Sequence, residues 1–541
     1  MSDRLLVAFA ASALAGVTAA PAFAAKDAPA CQDLPAVFAA PDVALNSATL
    51  GAAVPGSTPE YCDVRGVING HIKFAVFLPT QWNQRFQMVG NGGKAGVISL
   101  ADMGTAVARG FASSSTDTGH DATGPAEGGS RFGNDALFGK EREIDFGWRA
   151  VHLTALVSKD IIATYYPKSK LRYSYWNGCS TGGRQGLMEA QRFPGDFDGY
   201  AVGAPVYFYT GQQMSAPAML RPLYRAIPPA SASDGPVISP AKRNMIGAAV
   251  YARCDAQDGL TDGQIRNPLK CDFDPARDIP ACSSTSGQTC LTPAELAALQ
   301  QIYAGKDPFV PPMIKGAENI PGGWSSWILP NNNPRTGAPG TPLLHSVIAD
   351  AFEWLMFDPD RPGFNYLTQF DWNTDPYLMQ GAAQIFNATD PDLHDVMRNG
   401  KKILMYHGFG DPGANPIRSI RYRQAVIDFM NERLGQHERH DEDRRKHHGE
   451  DESLGERFTD RFLRLYLVPG MAHCGGGVGH SDIDWITPLQ RWVEDGVAPQ
   501  AIIGTKPGTT STRPHCPYPQ EAVYRGGDAT QASSFSCTEF D

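Results

Sequence analysis

The sequence predicts an α/β fold in which a large domain is inserted between two parts of a mainly parallel sheet. A strand, a helix and a second strand follow one another with tight connections over residues 173–203, as in parallel sheets covered by helices. Two further buried strands come only at 403–406 and 462–468. The intervening stretch is rich in proline, glycine and aromatic residues and shows little strand alternation. We therefore expect a lid domain at 206–390, inserted between two segments of the core at 25–205 and 391–541.

The elements of the core follow in order along the chain. Residues 42–89 alternate strand-like runs with turns, and a glycine-rich turn follows at Gly90–Gly96. Apolar residues at helical spacing predict an amphipathic helix over 145–166. A short strand at Tyr173–Asn177 then leads through a sharp turn to a helix expected from about Arg184 to Arg192.

Composition excludes several classes of protein. The chain has 541 residues with a formal net charge of −10, and 42% of its residues are hydrophobic while 19% are charged. These values are typical of a globular protein with a sizeable core and exclude disorder throughout. Nucleic-acid binding needs concentrated Lys and Arg, and no basic stripe is present. No segment after the N-terminal one reaches membrane-spanning length, so neither nucleic acid nor a membrane is an expected partner, and the oligomeric state stays open.

The first 24 residues have the features of a cleavable signal peptide. Arg4 supplies a basic start, residues 5–17 are largely apolar, and Ala22–Ala24 fits a small-x-small cleavage site. A buried N-terminal helix is the alternative interpretation. Export to a periplasm or out of the cell implies that the ten cysteines form disulfides.

The turn Gly178–Gly182 fits the G-x-S-x-G pattern of a nucleophile elbow. The pattern recurs by chance, but here a strand precedes it and a helix follows, which would project Ser180 above the carboxyl edge of the sheet. Glycines flank the serine because side chains there would clash with the strand and the helix. We therefore predict that Ser180 is a catalytic nucleophile.

A serine nucleophile needs a base to remove its proton and an acid to orient that base. In this fold the acid and the histidine each follow a later strand. Asp411 comes after the strand ending at Tyr406, and His473 comes after the strand ending at Val468. We predict that Ser180, His473 and Asp411 form a triad, with a turn-capping Asp411 and a structural His473 as the alternatives.

Cysteines adjoin two members of this predicted triad. Cys179 directly precedes the nucleophile, and Cys474 directly follows the base. A disulfide between them would join loops 295 positions apart and hold the serine near the histidine. In the loop-entropy model such a bond stabilises the fold by up to about 5 kcal/mol.

Acyl transfer also needs hydrogen-bond donors for the oxyanion of the tetrahedral intermediate. The backbone N–H of Thr181, directly after the nucleophile, is the first candidate. Gly93 in the glycine-rich turn is the second, because a glycine lets the backbone approach the substrate. Gly92 and an ordinary glycine turn are the alternatives.

An acidic loop in the inserted segment has the composition of a calcium site. Asp255, Asp258 and Asp262 place three carboxylates within eight residues, between Cys254 and Cys271. Hard oxygen ligands from a compact loop suit Ca²⁺, although the glutamate at position twelve of an EF-hand is missing. A solvated acidic turn is the alternative to this predicted structural calcium site.

These motifs together resemble the tannase and feruloyl esterase family, which includes bacterial mono(2-hydroxyethyl) terephthalate hydrolases. The stretch from Gly178 to Pro194 is similar to the elbow and following helix of that family, and its Cys-Ser, Asp and His-Cys pattern maps onto 179–180, Asp411 and 473–474. The resemblance covers nearly the whole mature chain. It extends to C-terminal motifs at 513–519 and 533–537.

The resemblance implies an α/β-hydrolase core with a large lid and a lid calcium. The side chains of Asp255, Asp258 and Asp262 and the carbonyls of Leu260 and Gln264 match the calcium ligands of the family. The implied disulfides are Cys31–Cys62, Cys179–Cys474, Cys254–Cys271, Cys282–Cys290 and Cys516–Cys537.

The resemblance also implies the activity, an exported serine esterase that cleaves esters of aromatic, phenolic acids. His407 matches a family position near the substrate and would donate a hydrogen bond to a ring hydroxyl or carboxylate. Trp324 is the aromatic candidate for stacking on the ring. Further candidates, for which a place in the core of the lid is the alternative, are Trp327, Phe352 and Trp354.

Several alternatives stay open at this level. The same machinery could act on gallate esters or on terephthalate monoesters, although Thr181 replaces the acidic residue of the terephthalate-ester enzymes. An inactive aromatic-binding protein on the same fold is a non-enzyme alternative, and a metal-dependent hydrolase is another, without an H-E-x-x-H motif in the sequence. The charged, histidine-containing insertion at 436–457 is interpreted as a solvated loop with no assigned role.

Overall fold

The computed structural model describes residues 28–52, 59–227, 236–283, 287–332, 334, 339–438 and 454–539. The predicted signal peptide lies outside these residues, as do residues 439–453 of the charged insertion. Within the described ranges, no helix is both long and apolar enough to span a bilayer.

In the described ranges, nine strands form one large sheet, and five shorter strands form two small sheets near the C-terminus. The strands of the large sheet are β1 (Val43–Gly51), β2 (Tyr61–Ile68), β3 (Ile72–Pro79), β4 (Arg85–Val89), β5 (Ala112–Thr116), β6 (Tyr173–Cys179), β7 (Gly199–Gly203), β8 (Lys402–Gly408) and β9 (Leu463–Val468). The small sheets contain β10 (Asp482–Ile483), β11 (Ile502–Thr505), β12 (Thr512–His515), β13 (Glu521–Tyr524) and β14 (Phe535–Thr538).

The order of strands in the large sheet is β1-β2-β3-β5-β4-β6-β7-β8-β9. The pairs from β1 to β5 are antiparallel, and all pairs from β5 to β9 are parallel. The carboxyl ends of β6, β7, β8 and β9 therefore meet at one edge of the sheet, where α/β enzymes place their ligands.

Twenty α-helices lie in the described residues. They are α1 (Leu34–Val37), α2 (Leu100–Ala108), α3 (Asp135–Phe138), α4 (Glu141–Ile144), α5 (Ala150–Tyr165), α6 (Thr181–Arg192), α7 (Tyr209–Met219), α8 (Pro240–Cys254), α9 (Pro275–Asp278), α10 (Pro293–Ala304), α11 (Trp324–Trp327), α12 (Leu343–Ile348), α13 (Ala351–Trp354), α14 (Tyr366–Gln369), α15 (Asp375–Leu378), α16 (Gln380–Phe386), α17 (His394–Arg398), α18 (Ile417–Glu438), α19 (Leu454–Thr459) and α20 (Ile486–Glu494).

Helices cover both faces of the large sheet. Buried side chains of α5, α6 and α18 form one hydrophobic core with the sheet, and those of α20 form a second core on the other face. The predicted helix at 145–166 is a π-helical turn, Asp145–Arg149, continued by α5. The helix predicted from about Arg184 begins at Thr181. The prediction placed its start too late because the first turn contains two glycines, which have low helix propensity.

The segment between β7 and β8 is helical, and we call residues 204–401 the helical insertion. Its described part contributes no strand to the sheets and has a hydrophobic core of its own, built largely from residues 206–386. Helix α7 lies at the centre of this core and packs against α10, α12, α14 and α16. The folding of this segment as a separate lid domain stays a prediction.

All ten cysteines form disulfides, and the pairs are those that the family resemblance implies. The five bonds are Cys31–Cys62, Cys179–Cys474, Cys254–Cys271, Cys282–Cys290 and Cys516–Cys537. Four of them close local loops of 8 to 31 positions, whereas the second joins residues 295 positions apart.

Candidate active site

The elbow is a sharp turn between β6 and α6. Ser180 lies between Cys179, the last residue of β6, and Thr181, the first residue of α6. Its backbone has φ 63° and ψ −120°, a conformation that is costly for a residue with a Cβ and is concentrated at functional sites. A Cβ at Gly178 would lie 2.7 Å from the carbonyl carbon of Gly182, so glycine is required for this close approach. The turn therefore exposes Ser180 at the carboxyl edge of the sheet.

Asp411 and His473 lie at the same edge, on the loops that follow β8 and β9. His473 Nδ1 donates a hydrogen bond to Asp411 Oδ2 over 2.6 Å. Nε2 is thereby the nitrogen left to face Ser180, as a general base requires. The described structure has no hydrogen bond between Ser180 Oγ and His473, although both residues line one cavity. Such contacts are often long without substrate and tighten when it binds.

The carboxylate of Asp411 is buried, and protein groups donate several hydrogen bonds to it. Its Oδ1 accepts the backbone N–H groups of Gly413 and Ala414 at 2.8 and 2.9 Å. Burial alone would raise the pKa of Asp411, but the charge of His473 and hydrogen bonds from His407 and His473 outweigh it and hold this pKa well below its usual range. Asp411 is therefore an anion at neutral pH, suited to orient and stabilise a protonated His473.

A disulfide holds the serine and histidine loops together. Cys179 and Cys474 are bonded, and their Cα atoms are 5.9 Å apart. Cys474 has a positive φ of 64°. Each of the two joined loops therefore contains a residue with an unusual backbone conformation, Ser180 in one and Cys474 in the other. The crosslink restricts the relative movement of Ser180 and His473.

The two predicted oxyanion donors lie together beside the elbow. Thr181 Oγ1 donates a hydrogen bond to the Gly93 carbonyl at 2.5 Å, which fixes the glycine-rich turn against the start of α6. Gly92, Gly93 and Thr181 all line the same cavity as Ser180. Gly93 and Thr181 therefore lie beside the nucleophile, their role as oxyanion donors stays a prediction, and Gly92 stays an alternative to Gly93.

The glycine-rich turn is also tied to the helical insertion. Lys94 Nζ donates hydrogen bonds to the Asp350 carboxylate and, over 3.3 Å, to the carbonyl of Ser346 in α12. Asp350 in turn accepts the N–H of Ser130. These contacts fix α12, a wall of the cavity, relative to the predicted oxyanion donors.

The cavity at Ser180 has a volume of about 300 Å³ and a mainly apolar lining. Its apolar and aromatic walls are formed by Val206, Tyr209, Trp327, Leu343, Val347 and Ile348. Gln212 and Gln213 of α7 add two amide groups, and no Lys, Arg, Asp or Glu lines the cavity in the described part of the chain. Such a volume and lining fit a small, uncharged aromatic group.

The structure places four of the predicted substrate contacts away from the cavity: Trp324, Phe352, Trp354 and His407. Trp324 is fully buried in the core of the helical insertion, packed against Tyr303, because its side of the short helix α11 faces inward. Phe352 is likewise buried in that core, and Trp354 does not line the cavity. Trp327, at the other end of α11, does line it, with its ring 5.0 Å from that of His473.

His407 is fully buried beneath the site and does not line the cavity. Its Nε2 donates to Asp411 Oδ2 at 3.2 Å and to the Ala414 carbonyl at 2.8 Å, and its Nδ1 accepts from Ser419 Oγ at 2.8 Å. These hydrogen bonds hold His407 against the Asp411 carboxylate, and the predicted contact of His407 with the substrate stays a prediction.

Sequence reasoning also missed residues of the site. Tyr209, Gln212 and Gln213 of α7 and Leu343 and Val347 of α12 were not candidates. One signal was available for α7, since it follows the carboxyl end of β7, the edge at which ligands bind. Nothing in the sequence marks α12, because its place at the cavity depends on packing against α7.

In the predicted calcium loop the three aspartates hydrogen-bond to backbone N–H groups of the loop itself, and their carboxylates do not converge on one point in the described structure. Asp255 accepts the N–H groups of Gly263 and Gln264, and Asp258 accepts that of Leu260 at 3.0 Å. Asp262 Oδ2 pairs with Arg513 at 2.9 Å. Burial raises the pKa of Asp258, and the neighbouring Asp262 adds to this rise. The candidate metal ligands of this acidic loop are oxygen atoms, the ligand type that Ca²⁺ prefers.

A mainly parallel sheet with a serine elbow, an aspartate and a histidine at its carboxyl edge defines an α/β-hydrolase. A family model described as tannase and feruloyl esterase matches residues 58–538, so the chain belongs to the tannase and feruloyl esterase family. This confirms the resemblance drawn from the sequence. The chain is accordingly an enzyme, a carboxylic ester hydrolase.

Individual relatives agree with this assignment. The chain is 31% identical to the mono(2-hydroxyethyl) terephthalate hydrolase of Piscinibacter sakaiensis, over 91% of this chain and 87% of that protein. It is also 31% identical to a probable feruloyl esterase of Arthroderma benhamiae, over 90% and 87%. The crystal structure of feruloyl esterase B from Aspergillus oryzae matches with a TM-score of 0.77 at 25% identity, covering 94% of this chain and 99% of that chain.

Proposed function

We propose that this protein is an exported serine esterase that cleaves esters of neutral, phenolic aromatic acids, in the manner of a feruloyl esterase. The observation that carries the proposal is the shared apolar cavity of Ser180 and His473, with His473 hydrogen-bonded to Asp411. The cavity would hold the aromatic acyl group, and the exposed hydroxyl of Ser180 would meet its ester carbon.

The reaction runs through an acyl-enzyme. Ser180 Oγ attacks the ester carbonyl while His473 Nε2 takes its proton, and Asp411 stabilises the resulting imidazolium. The N–H groups of Thr181 and Gly93 donate to the oxyanion of the tetrahedral intermediate. His473 then gives its proton to the leaving alcohol. In the second half it removes a proton from water, which attacks the acyl carbon and releases the acid and Ser180.

The absence of charge in the described lining favours a neutral acid. A terephthalate monoester carries a carboxylate, whose burial is costly without a cation beside it. A gallate ester carries three ring hydroxyls, each of which needs a hydrogen-bond partner in a largely apolar cavity. A phenolic acid with fewer hydroxyls suits the observed lining better than either alternative.

We further propose that the acidic loop holds a structural Ca²⁺. The side chains of Asp255, Asp258 and Asp262 and the carbonyls of Leu260 and Gln264 would supply the oxygen ligands. The composition of the loop supports the proposal, because it carries three carboxylates within eight residues. The ion would stabilise the helical insertion and take no part in the chemistry.

Export is the remaining part of the proposal. Five disulfides are typical of proteins that fold in an oxidising compartment. The N-terminal motif ending at Ala24 supplies a route to such a compartment. N-terminal sequencing of the mature protein checks the cleavage site after Ala24.

The decisive experiment compares the purified protein with its Ser180→Ala variant. Both are assayed on methyl ferulate, methyl gallate, mono(2-hydroxyethyl) terephthalate and a short p-nitrophenyl ester. We expect methyl ferulate to be hydrolysed with the highest kcat/KM and the variant to lose at least about 10³-fold. Activity on the p-nitrophenyl ester alone would keep the esterase and remove the aromatic acid. Equal activity of the variant would disprove the serine mechanism.

A further inference from the structure

Two adjacent glutamines of α7 line the cavity, and only one of them is satisfied by the protein. Gln212 Nε2 donates to the Gly413 carbonyl at 2.6 Å. Gln213 is only 2% exposed, and its Oε1 has no hydrogen-bond partner among the described residues. Gln213 is thus a buried amide with unused hydrogen-bonding capacity at the wall of the candidate active site.

A buried amide oxygen without a partner costs free energy, and an amide in the wall of a cavity can recover part of that cost by hydrogen-bonding a ligand. A methionine or leucine at position 213 would fill similar space without this cost. Among the lining residues, Val206 and Val347 offer no side-chain hydrogen bond, and no polar lining residue is hydrogen-bonded to the Gln213 amide in the described structure. Gln213 Oε1 is shielded from the cavity, but Nε2 also has no hydrogen bond to the described residues, so Nε2 is the amide atom left to bond a ligand in the cavity.

The chemistry of the cavity selects the kind of group that Gln213 would meet. A ring hydroxyl both donates and accepts, so it satisfies the amide in either orientation of its oxygen and nitrogen. A carboxylate only accepts, and no Lys or Arg among the described lining residues would balance its charge. An unsubstituted ring would leave the amide unsatisfied.

We propose that Gln213 is a specificity-determining residue whose side-chain amide hydrogen-bonds a ring hydroxyl of the acyl group. This inference rests on the proposed function and narrows it to hydroxylated aromatic acids. Gln213 lies on α7 in the wall of the cavity and not on the loops of Ser180, Asp411 or His473, so its role is in binding the acyl group and not in proton transfer.

The test measures kcat/KM for methyl cinnamate, methyl 3-hydroxycinnamate and methyl 4-hydroxycinnamate. We expect the protein to prefer at least one hydroxylated ester over methyl cinnamate by about tenfold or more. In Gln213→Met this preference should fall about tenfold, mainly through loss on the hydroxylated ester. Gln213→Leu serves as a second apolar variant if Gln213→Met does not fold.

The matched control is Gln87→Met. Gln87 is also a buried glutamine whose Oε1 has no partner among the described residues, but it lies in β4 and does not line the cavity. This variant removes a buried amide of the same kind and should keep the preference for a ring hydroxyl. A preference lost equally in both variants would overturn the inference.

The remaining outcomes separate this inference from the proposed function. Hydrolysis of all three esters with equal kcat/KM would overturn the role of Gln213 and leave the esterase in place. An undiminished preference in both Gln213 variants would do the same. Hydrolysis of none of the three by folded protein would overturn the proposed function and this inference with it.

Discussion

His473 Nδ1 lies 2.6 Å from Asp411 Oδ2, although the two residues are 62 positions apart and follow different strands. Because β8 and β9 are parallel neighbours, their carboxyl ends bring the two loops to one point. The same edge carries Ser180, so a helical stretch of about 200 residues can intervene in the sequence without separating the site.

The first prediction concerns Asp411→Asn. An asparagine keeps the size of the side chain but removes the charge and favours the wrong tautomer of His473, so kcat should fall by about 10⁴. Steady-state kinetics on methyl ferulate measure this loss, with unchanged KM as the companion result. A variant that keeps a tenth of the activity would contradict the assignment of Asp411.

The second prediction concerns the disulfide between the catalytic loops. The double variant Cys179→Ala/Cys474→Ala should lose about 3–5 kcal/mol of unfolding free energy, since the bond closes the longest loop in the chain. Its kcat should fall by about ten- to hundredfold, because small displacements of reacting groups are costly. Urea unfolding and steady-state kinetics provide the two measurements.

The control for this disulfide is Cys282→Ala/Cys290→Ala. That bond closes a loop of only 8 positions in the helical insertion, and neither cysteine lines the cavity. The stability loss should be smaller, about 2 kcal/mol, and kcat should stay within twofold of the parent. A comparable fall in kcat here would show that the effect at Cys179 and Cys474 is a general loss of stability.

The third prediction concerns removal of the proposed calcium. Treatment with EDTA should lower Tm by about 5 °C, and added Ca²⁺ but not Mg²⁺ should restore it, since an ion bound only to the folded state stabilises it. Asp258→Asn should have a lower Tm that no longer responds to EDTA. Asp272→Asn, an exposed aspartate paired with Arg253 outside the loop, should keep the response. A Tm of the parent that ignores EDTA would refute the site.

The fourth prediction concerns Asp117, which directly follows β5. Its Oδ1 accepts the N–H groups of Lys73 and Gly119 at 3.0 and 2.8 Å, while Oδ2 has no partner among the described residues. Burial raises the pKa of Asp117 to about 7, against its ordinary value of 3.8. The folded state therefore binds the Asp117 proton more tightly than the unfolded chain does. The stability that this protonated carboxyl contributes to the fold is lost as the pH rises from about 4 to 7.

Asp117→Asn keeps the acceptor Oδ1 and never ionises, so its advantage over the parent should grow with pH. Between pH 5 and pH 8 the difference in unfolding free energy should increase by about 2–3 kcal/mol, as measured by urea unfolding. The exposed Asp121, whose pKa is lowered by hydrogen bonds from Thr123, provides the control. Asp121→Asn should show no change with pH in this range, and a flat difference for Asp117→Asn would contradict its raised pKa.

The elements around the proposed catalytic triad were predictable from local signals. Ser180, Asp411 and His473 each follow a short buried strand, and a strand with apolar residues and turn signals is visible in the sequence itself. The flanking glycines and the adjacent cysteines are equally local marks. Parallel strands then bring their carboxyl ends to one edge, so the order of the motifs already determines which loops meet.

The walls of the cavity were decided by the tertiary structure. Trp324 and Trp327 lie three positions apart in one short helix and have similar chemistry, yet one is core and the other lines the cavity. Which side faces the substrate depends on how α7, α11 and α12 cross, and this packing involves residues far apart in the chain. The surroundings of two polar side chains were likewise decided by tertiary packing. His407 hydrogen-bonds Asp411, whereas Gln213 Oε1 has no hydrogen-bond partner among the described residues.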